Sequence, residues 1–324
     1  MSRPVRIGIL GCAKIARRSM APAIHALPEL FDLVAVASRD SGKAGDFAQE
    51  FGCEAVVGYE GLLARDDIEA LYVPLPTGLH PYWVGAAVAA GKHVYVEKSF
   101  APTLGDTQVL LQAARQHDVA VMEGYMFLYH RQQAQVKVWL DEGRIGDLRH
   151  FHGSFGFPPL PADDFRWDEA VGGGVLMDAA GYPLRAARLL LGHGFEVQAA
   201  SVSRRPGGTT TWGSAYLSDG AGLGASIAFG FENFYQCRYE LWGSLGKLTA
   251  ERAYTPAPTF SPRLILETAD GVVHHVVDAD NHFVGALREF SAAISNPDRR
   301  IVHYRDIEAQ SRSLDRIREL AFGD

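Results

Sequence analysis

The chain is 324 residues long, which favours two domains over one. Hydrophobic residues make up 47% and charged residues 21%, the balance of an ordinary globular protein, so disorder and fibrous repeats are excluded for most of the length. The formal net charge of -7 argues against a broad basic surface, and we expect no nucleic-acid partner. No apolar run of about 18 residues occurs, so we expect no membrane span, and the opening residues lack a signal-peptide pattern.

The three cysteines, Cys12, Cys53 and Cys237, are far apart and form no CxxC pair. Such an odd, scattered set supports neither a disulfide scaffold nor a zinc site, and we predict no metal site. It is typical of a reducing compartment, so we expect a cytoplasmic protein. Cys12 is interpreted as a small apolar residue in a tight turn rather than as a nucleophile.

The first part of the chain alternates short, β-branched apolar runs with helical patterns. The runs carry no polar alternation, as is typical of strands covered on both faces of a parallel sheet. They lie at residues 5–10, 33–37, 70–75, 93–96 and 119–122, with helical stretches at 16–27, 43–51, 81–90 and 105–116. The alternation predicts a doubly wound α/β domain over residues 1–124.

After residue 124 the chain changes to a helix followed by many short strand-like segments. Several of these alternate in the half-buried way, and turn sequences such as Ser218-Asp219-Gly220 separate them. Residues 125–324 are therefore predicted to form an α+β domain with a large, predominantly antiparallel sheet. Its C-terminal helix is free to pack back on the first domain. The strands are expected at 148–157, 197–204, 213–218, 222–229, 236–242, 247–251, 263–268 and 272–277, and the helices at 132–142, 174–191, 283–294 and 304–320.

The first predicted strand runs into a loop that varies the dinucleotide fingerprint as G-x-A-x-x-A. In this motif the first glycine allows the tight turn, and the third position lets the backbone approach a pyrophosphate. Amides at the start of the next helix then face the phosphates. The loop predicts five cofactor-binding residues: Gly11, Cys12, Ala13, Lys14 and Ile15. The alternative is a glycine turn in an unrelated α/β protein.

The second strand ends at Ser38 and Arg39, about twenty residues beyond the loop. NAD sites place an acidic residue there to hold the ribose hydroxyls. A hydroxyl and a guanidinium suit a 2′-phosphate instead, and Lys43 lies close in sequence. We therefore predict NADP(H) as the cofactor. A solvated arginine in a loop that tolerates either cofactor is the alternative.

A proline-containing loop follows the third predicted strand. It holds Leu75, Pro76, Thr77 and His80, which are predicted to line the nicotinamide half of the cofactor site. The prolines stop the strand, and ligands bind beyond strand ends in such sheets. For His80 a role as a helix-start or packing residue is the alternative to direct chemistry.

Glu97 and Lys98 follow the next strand. A lysine that emerges from an apolar strand is partly desolvated and can point a charge or a proton at a carbonyl oxygen. Both residues are predicted to contact the cofactor, and Lys98 is predicted to be catalytic. A simple salt bridge between the two is the alternative.

In the second domain, three glycines precede a helix that carries Asp178 and Tyr182. The spacing of four residues puts both side chains on one face, where a carboxylate and a phenol could orient a sugar and donate a proton. A capped helix start with a tyrosine in the core is the alternative. Upstream, Arg166 and Trp167 follow three prolines and are predicted to contact the cofactor, with a surface pair between Arg166 and Asp168 as the alternative.

Together these segments resemble the Gfo/Idh/MocA family of NAD(P)-dependent sugar oxidoreductases over nearly the whole chain. The family fold is a Rossmann domain followed by a mostly antiparallel sheet domain, in agreement with the patterns above. The resemblance also implies a homodimer or homotetramer built through that sheet. It rests on the loop at Gly11 and on VPLPTGLH, AGKHVYVEK, EGRIG, GGGVLMD and YELWGSLGKL.

By this resemblance, Lys98 matches the active-site lysine of the family's Glu-Lys-Pro motif, and Asp178 matches its acidic residue on the second-domain helix. Tyr182 falls where many members carry histidine. A tyrosine there is similar to the sugar-nucleotide 3-ketoreductases of deoxysugar biosynthesis, and also to dihydrodiol and D-xylose dehydrogenases. Within that group the chain most resembles the 3-ketoreductases, on the segments GCAKIA, ASR, EGYMFLYH, GGGVLMDAAGYPLRAA and ERAYTPAP. Two residues depart from the family pattern: Ser99 replaces the proline of Glu-Lys-Pro, and Ala13 replaces the second glycine of the loop.

The hypothesis is an NADPH-dependent reduction of a keto group, at C3, on a dTDP-linked deoxysugar. Lys98 polarises the oxygen, Tyr182 donates the proton and Asp178 orients the sugar or the lysine. Two alternatives stay open. One is NADP-dependent oxidation of a free sugar of the D-xylose type or of a trans-dihydrodiol, and the other is an NADP-binding regulator without catalysis.

Overall fold

The computed structural model describes residues 3–323, which divide into two packed units. The first unit holds the chain up to Gly124 together with Phe283–Ser311. The second holds Tyr125–His282 together with the residues from Arg312 onward. Within residues 3–323, no helix combines the length and the apolar character needed to span a membrane.

Six parallel strands form the sheet of the first unit, in the order β3-β2-β1-β4-β5-β6. The chain moves outward from β1 on one side and returns to its other side at β4, so the strand order reverses between these two strands. The prediction of a doubly wound parallel sheet is confirmed. The strands are β1 (Val5–Leu10), β2 (Phe31–Ser38), β3 (Glu54–Val57), β4 (Ala70–Val73), β5 (His93–Val96) and β6 (Val121–Glu123).

Helices connect these strands, and side chains cap two of them. Asp40 accepts a hydrogen bond from the amide of Lys43, and Thr103 accepts one from the amide of Asp106, which fixes where the second and fifth helices begin. The first helix follows a π-helical turn at Ala16–Met20. The helices are α1 (Ala21–His25), α2 (Ser41–Phe51), α3 (Tyr59–Leu63), α4 (His80–Ala89) and α5 (Leu104–Gln116).

Eight strands form the sheet of the second unit, in the order β14-β13-β12-β11-β7-β10-β9-β8. All neighbouring pairs are antiparallel except β7 with β10, so the predicted antiparallel character is confirmed. The strands are β7 (Leu148–Gly156), β8 (Glu196–Arg204), β9 (Thr210–Ser218), β10 (Gly224–Gly230), β11 (Gln236–Gly243), β12 (Gly246–Glu251), β13 (Arg263–Thr268) and β14 (Gly271–Val276).

Three helices belong to the second unit: α6 (Arg131–Asp141), α7 (Glu169–Gly172) and α8 (Gly181–Leu191). A π-helical turn at Leu176–Ala180 leads into α8, which packs on β7 and β10. The covered face of the sheet buries large side chains such as Phe151. The opposite face carries half-buried polar residues such as Ser226 together with the exposed rings of Trp212, Tyr216 and Trp242.

The last two helices are α9 (His282–Ser295) and α10 (Pro297–Phe322). Phe290 on α9 stacks on Phe31, with ring centroids 6.2 Å apart, and Tyr304 on α10 joins the apolar core of the first unit. The segment 283–311 therefore packs with the first unit. The sequence pattern had assigned it to the second domain, with the C-terminal helix free to pack back on the first. Apolar contacts, which the local pattern does not encode, determine this grouping.

Candidate active site

Gly11 ends β1 in a backbone conformation that other residues rarely adopt. Its φ is +125°, and a side chain at this position would begin 3.0 Å from Cδ2 of Leu75. Glycine is thus required by the backbone and by the space around it. Cys12 and Ala13 lead directly into a helical segment that begins at Lys14. Such a strand, glycine turn and helix start place backbone amides where a pyrophosphate binds.

Ser38 ends β2 beside this loop. Its side chain is buried and makes a hydrogen bond with the thiol of Cys12, while Oγ accepts a hydrogen bond from the amide of Asp40 at 3.1 Å. Burial raises the pKa of Cys12, which therefore stays a thiol at neutral pH. Arg39 follows Ser38 and is exposed, as is Lys43. The hydroxyl of Ser38 thus ends β2, and the cations of Arg39 and Lys43 follow it. Asp40 is the one acidic side chain between Ser38 and Lys43.

The loop after β4 lies against the loop after β1. Leu75 and Thr77 are buried, Pro76 is half-buried, and Leu75 limits the space at Gly11. The carboxyl ends of β1 and β4 are therefore brought together, as expected for neighbouring parallel strands.

His80 begins α4, and its ring is fully buried. Nε2 lies 2.8 Å from the carbonyl oxygen of Leu75, and Nδ1 lies 2.9 and 3.1 Å from those of Ser99 and Phe100. Burial lowers the pKa of His80, and the hydrogen bonds to these carbonyls oppose that shift. The sequence placed His80 among the cofactor-binding residues, and that stays a prediction. The ring itself contacts backbone carbonyls in the loops that follow β4 and β5.

Lys98 and Glu97 lie just beyond β5, and both are half-buried. The hydroxyl of Tyr72 on β4 donates a hydrogen bond to Oε1 of Glu97 at 2.6 Å. On the other side of Lys98, the amide of Phe100 donates to Oε1 of the buried Glu123 at 2.8 Å. The Lys98–Ser99 peptide bond is cis. Buried side chains therefore contact the Glu97 side chain before the lysine and the backbone that follows it.

In the second unit, the ring of Tyr182 stands among four other aromatic rings and is 6% exposed. The nearest is Phe155, with centroids 4.6 Å apart, and the ring of Tyr125 meets it edge-on at 5.5 Å. Phe127 and Tyr254 complete the group at 5.9 Å each. We call these five residues the aromatic cage. It fixes the direction of the phenol more tightly than a helix surface alone could.

Asp178 lies one turn before Tyr182 and pairs with Arg166. Nε of Arg166 is 3.1 Å from Oδ2 of Asp178, and Nη1 is 3.1 Å from Oδ1 of Asp164. Burial lowers the pKa of Arg166, but the charges of both carboxylates outweigh that effect and raise the pKa above its ordinary value. Arg166 is thus a fixed cation between two carboxylates rather than a partner of Asp168.

Trp167 is held within the same loop. Its Nε1 donates to the carbonyl of Pro161 at 2.7 Å, and the guanidinium of Arg205 lies 4.1 Å from its ring centre. Close packing also explains Gly172: a side chain there would begin 2.6 Å from Cα of Arg166. Glycine therefore lets α7 approach the segment that carries Arg166 and Trp167.

Sequence reasoning did not identify the cage partners of Tyr182 or the second carboxylate at Arg166. The run of aromatic residues at 125–129 was the available signal, but only the fold shows which rings meet. In the described part of the chain, no three His, Cys, Asp or Glu side chains are grouped to bind a metal ion.

Two family models match most of the chain. Residues 5–125 match an oxidoreductase family with an NAD-binding Rossmann fold, and residues 133–249 match the GFO/IDH/MocA C-terminal domain. The chain belongs to the Gfo/Idh/MocA family. The resemblance and the predicted Rossmann and mostly antiparallel domains are thereby confirmed.

Among curated members of the Gfo/Idh/MocA family, this chain is similar to dTDP-3,4-didehydro-2,6-dideoxy-alpha-D-glucose 3-reductase of Saccharopolyspora spinosa. The two are 42% identical over 91% of this chain and 89% of the relative. It is also 32% identical to D-xylose 1-dehydrogenase (NADP(+)) 2 of Haloferax volcanii, over 97% of this chain and 96% of that one.

A solved structure with the same fold is that of KijD10, a 3-ketoreductase from Actinomadura kijaniata, in complex with NADP and TDP-benzene. The TM-score is 0.94 at 39% identity, and 98% of each chain is covered. Solved variants of KijD10 include a lysine-to-alanine and a tyrosine-to-phenylalanine substitution. Those two positions are separated by the same number of residues as Lys98 and Tyr182.

Proposed function

We propose that this protein catalyses the NADPH-dependent reduction of the C3 keto group of a dTDP-linked deoxysugar. One observation carries the proposal: the chain is 42% identical, nearly end to end, to a reductase of that substrate class. Lys98 and Tyr182 support it, because their spacing repeats that of the lysine and tyrosine substituted in KijD10.

The first unit fits NADP(H). The glycine turn at Gly11 follows β1, and the helix start after it can present amides to a pyrophosphate. Beyond β2, the hydroxyl of Ser38 and the exposed guanidinium of Arg39 suit a 2′-phosphate, which a carboxylate would repel. We propose that residues 12–15, Leu75, Pro76, Thr77, Glu97 and Lys98 line the rest of that site.

In the proposed reaction, bound NADPH supplies the hydride that reduces the carbonyl carbon. The ammonium of Lys98 donates a hydrogen bond to the carbonyl oxygen and stabilises the negative charge that develops there. The hydroxyl of Tyr182 gives its proton to the same oxygen. A phenol is a suitable donor because its hydroxyl is a weak acid that can give a proton to the developing alkoxide.

Asp178 is proposed to orient the sugar through its hydroxyl groups. The pair with Arg166 keeps a positive charge beside the carboxylate, and so favours the ionised form that accepts hydrogen bonds. We propose that Arg166 acts on the substrate site through Asp178. The earlier prediction that Arg166 and Trp167 bind the cofactor stays a prediction.

A second candidate is NADP-dependent oxidation of a free sugar, favoured by the 32% identity to a D-xylose dehydrogenase. Absorbance of NADPH distinguishes the two. Loss of NADPH with a freshly generated dTDP-3-keto-deoxysugar supports the ketoreductase. Formation of NADPH from NADP and D-xylose, without activity on the nucleotide sugar, would favour the dehydrogenase. Tight NADP binding with neither activity would favour a regulator.

We also propose that a second copy of the chain covers the exposed face of the second-unit sheet. Trp242, Trp212 and Tyr216 project from this face and are 65%, 51% and 43% exposed. Exposed aromatic residues on one face are typical of association surfaces. Light scattering of Trp242→Arg should show a smaller species than the unchanged protein. A cytoplasmic location stays a prediction that rests on the spacing of the three cysteines.

A further inference from the structure

His80 is a buried polar side chain that joins two segments distant in sequence. Its ring is 0% exposed, and all three of its hydrogen-bond partners are backbone carbonyl oxygens. Carbonyl oxygens only accept, so a hydrogen bond to them requires a proton on the ring nitrogen concerned. Burial lowers the pKa of His80, so the neutral ring carries one proton and donates from only one of its two nitrogens. Nδ1 has two carbonyl oxygens within reach and Nε2 has one.

The two ring nitrogens face different loops. Nε2 faces Leu75, in the loop after β4 that lies against Gly11. Nδ1 faces the carbonyls of Ser99 and Phe100, the two residues that directly follow Lys98. The same short segment is held from a further side, where the amide of Phe100 donates to Glu123. The Nδ1 end therefore acts on the backbone that carries the lysine.

We propose that His80 is a positioning residue of the reduction, which places the Lys98 ammonium by binding the carbonyls of Ser99 and Phe100 through Nδ1. The inference rests on the proposed function, since it assigns the role to Lys98 in that reaction. A displacement of about 1 Å in a catalytic group can cost about 100-fold in rate, so a lost backbone contact can lower turnover without removing any reacting group.

Two substitutions separate the ends of the ring. The side-chain nitrogen of asparagine stands near the position of Nδ1, and that of glutamine near the position of Nε2. His80→Asn can thus keep the bond to the segment after Lys98, whereas the amide of His80→Gln can donate only to Leu75. The inference predicts that kcat falls roughly 10- to 100-fold in His80→Gln and much less in His80→Asn. The dissociation constant for NADPH should change much less than kcat in His80→Gln.

Two further variants set the limits for comparison. Lys98→Met gives the rate without the lysine, and the His80→Gln rate should lie between that rate and the rate of the unchanged enzyme. His93→Gln is the matched control, because His93 begins β5, the strand that Lys98 follows, and its Nδ1 accepts a hydrogen bond from the amide of Ala120 at 2.9 Å. The His93→Gln variant should keep full kcat. Equal losses in the Asn and Gln variants, or losses matched by weaker NADPH binding, would overturn the inference.

A measurement on the unchanged protein needs no substrate. In ¹⁵N-labelled protein, the nitrogen resonances of His80, assigned by their absence from His80→Asn or His80→Gln, report which ring nitrogen carries a proton. We expect a proton on Nδ1 at neutral pH that exchanges slowly with water. A bare Nδ1 could not donate to Ser99 or Phe100 and would contradict the inference, even if the protein reduces the nucleotide sugar. Conversely, an inactive protein with this proton would contradict the proposed function alone.

Discussion

Nε of Arg166 lies 3.1 Å from Oδ2 of Asp178, and this pair ties the loop before α7 to the helical turn that leads to Tyr182. The side chains are 29% and 13% exposed, so water screens their attraction only in part. The pair gives Asp178 a fixed cationic neighbour. It also means that a change at Arg166 reaches the candidate substrate site through Asp178.

Replacing Arg166 by methionine should lower the free energy of unfolding by about 1–3 kcal/mol, because the charge of a largely buried carboxylate loses its partner. Urea unfolding followed by circular dichroism measures this. Arg149→Met is the matched control, since Arg149 pairs with Asp147 at the surface and should cost less than about 0.5 kcal/mol. Similar costs for the two variants would show that the Arg166–Asp178 pair contributes no more than a surface pair.

Tyr182→Phe should abolish most turnover while keeping the fold. The phenyl ring fills the same place in the aromatic cage, and only the proton donor is lost. We expect kcat to fall roughly 100- to 10,000-fold, with an unchanged dissociation constant for NADPH.

Tyr254→Phe is the control for the loss of a hydroxyl within the cage. That hydroxyl donates to the carbonyl of Arg238 at 3.1 Å, so its removal should cost about 1 kcal/mol of stability and leave turnover intact. If Tyr182→Phe kept full kcat, another group would have to supply the proton.

Arg39→Asp should reverse the cofactor preference. A carboxylate repels a 2′-phosphate and accepts hydrogen bonds from ribose hydroxyls, so kcat/KM for NADPH should fall about 10- to 100-fold relative to that for NADH. Steady-state rates with each cofactor give the ratio. Arg288→Asp introduces the same charge change at an exposed arginine of the first unit and should leave the ratio alone. A ratio that is equal in the two variants would mean that Arg39 does not contact the phosphate.

The buried His282 should make the protein less stable in acid. Burial, reinforced by the neighbouring His130, lowers the pKa of His282 to about 4, while Asp280 acts in the opposite direction. The unfolded chain binds a proton near pH 6.5 and the folded protein only near pH 4, so the unfolded state holds more protons between these values. The free energy of unfolding therefore falls as pH drops from 6.5 to 4, by roughly 2–3 kcal/mol for this residue.

Urea unfolding at pH 7 and pH 5 tests this dependence. The difference between the two pH values should shrink in His282→Gln. It should stay the same in His274→Gln, where an exposed histidine on β14 is replaced. A dependence unchanged by His282→Gln would assign the acid sensitivity to other groups.

The sequence predicted the parallel sheet well where strands are buried on both faces. The first strand runs from Val5 to Leu10 as predicted, because uniform burial leaves an uninterrupted apolar run. The edge strand β3 and the short helix α3 were missed. Three of the four β3 residues are exposed, so no apolar run marks it.

The proposed reactive groups, Lys98 and Tyr182, stand in recognisable sequence motifs, whereas the side chains that support them do not. The supports are contacts between segments far apart in the chain, such as Tyr72 with Glu97 or the ring of Phe155 against that of Tyr182. His80 shows the same limit, because its partners are backbone carbonyls, which every residue has and no sequence pattern marks.

The most direct test of the proposed reduction follows deuterium into the product from NADPH that carries deuterium at both positions of the nicotinamide C4. With a freshly generated dTDP-3-keto-deoxysugar as substrate, we predict one deuterium at C3 of the sugar, seen by mass spectrometry and proton NMR, and almost none with Tyr182→Phe. Label at another carbon would contradict the assigned keto position. No transfer to the nucleotide sugar, with NADP reduced by free D-xylose, would contradict the reductase function itself.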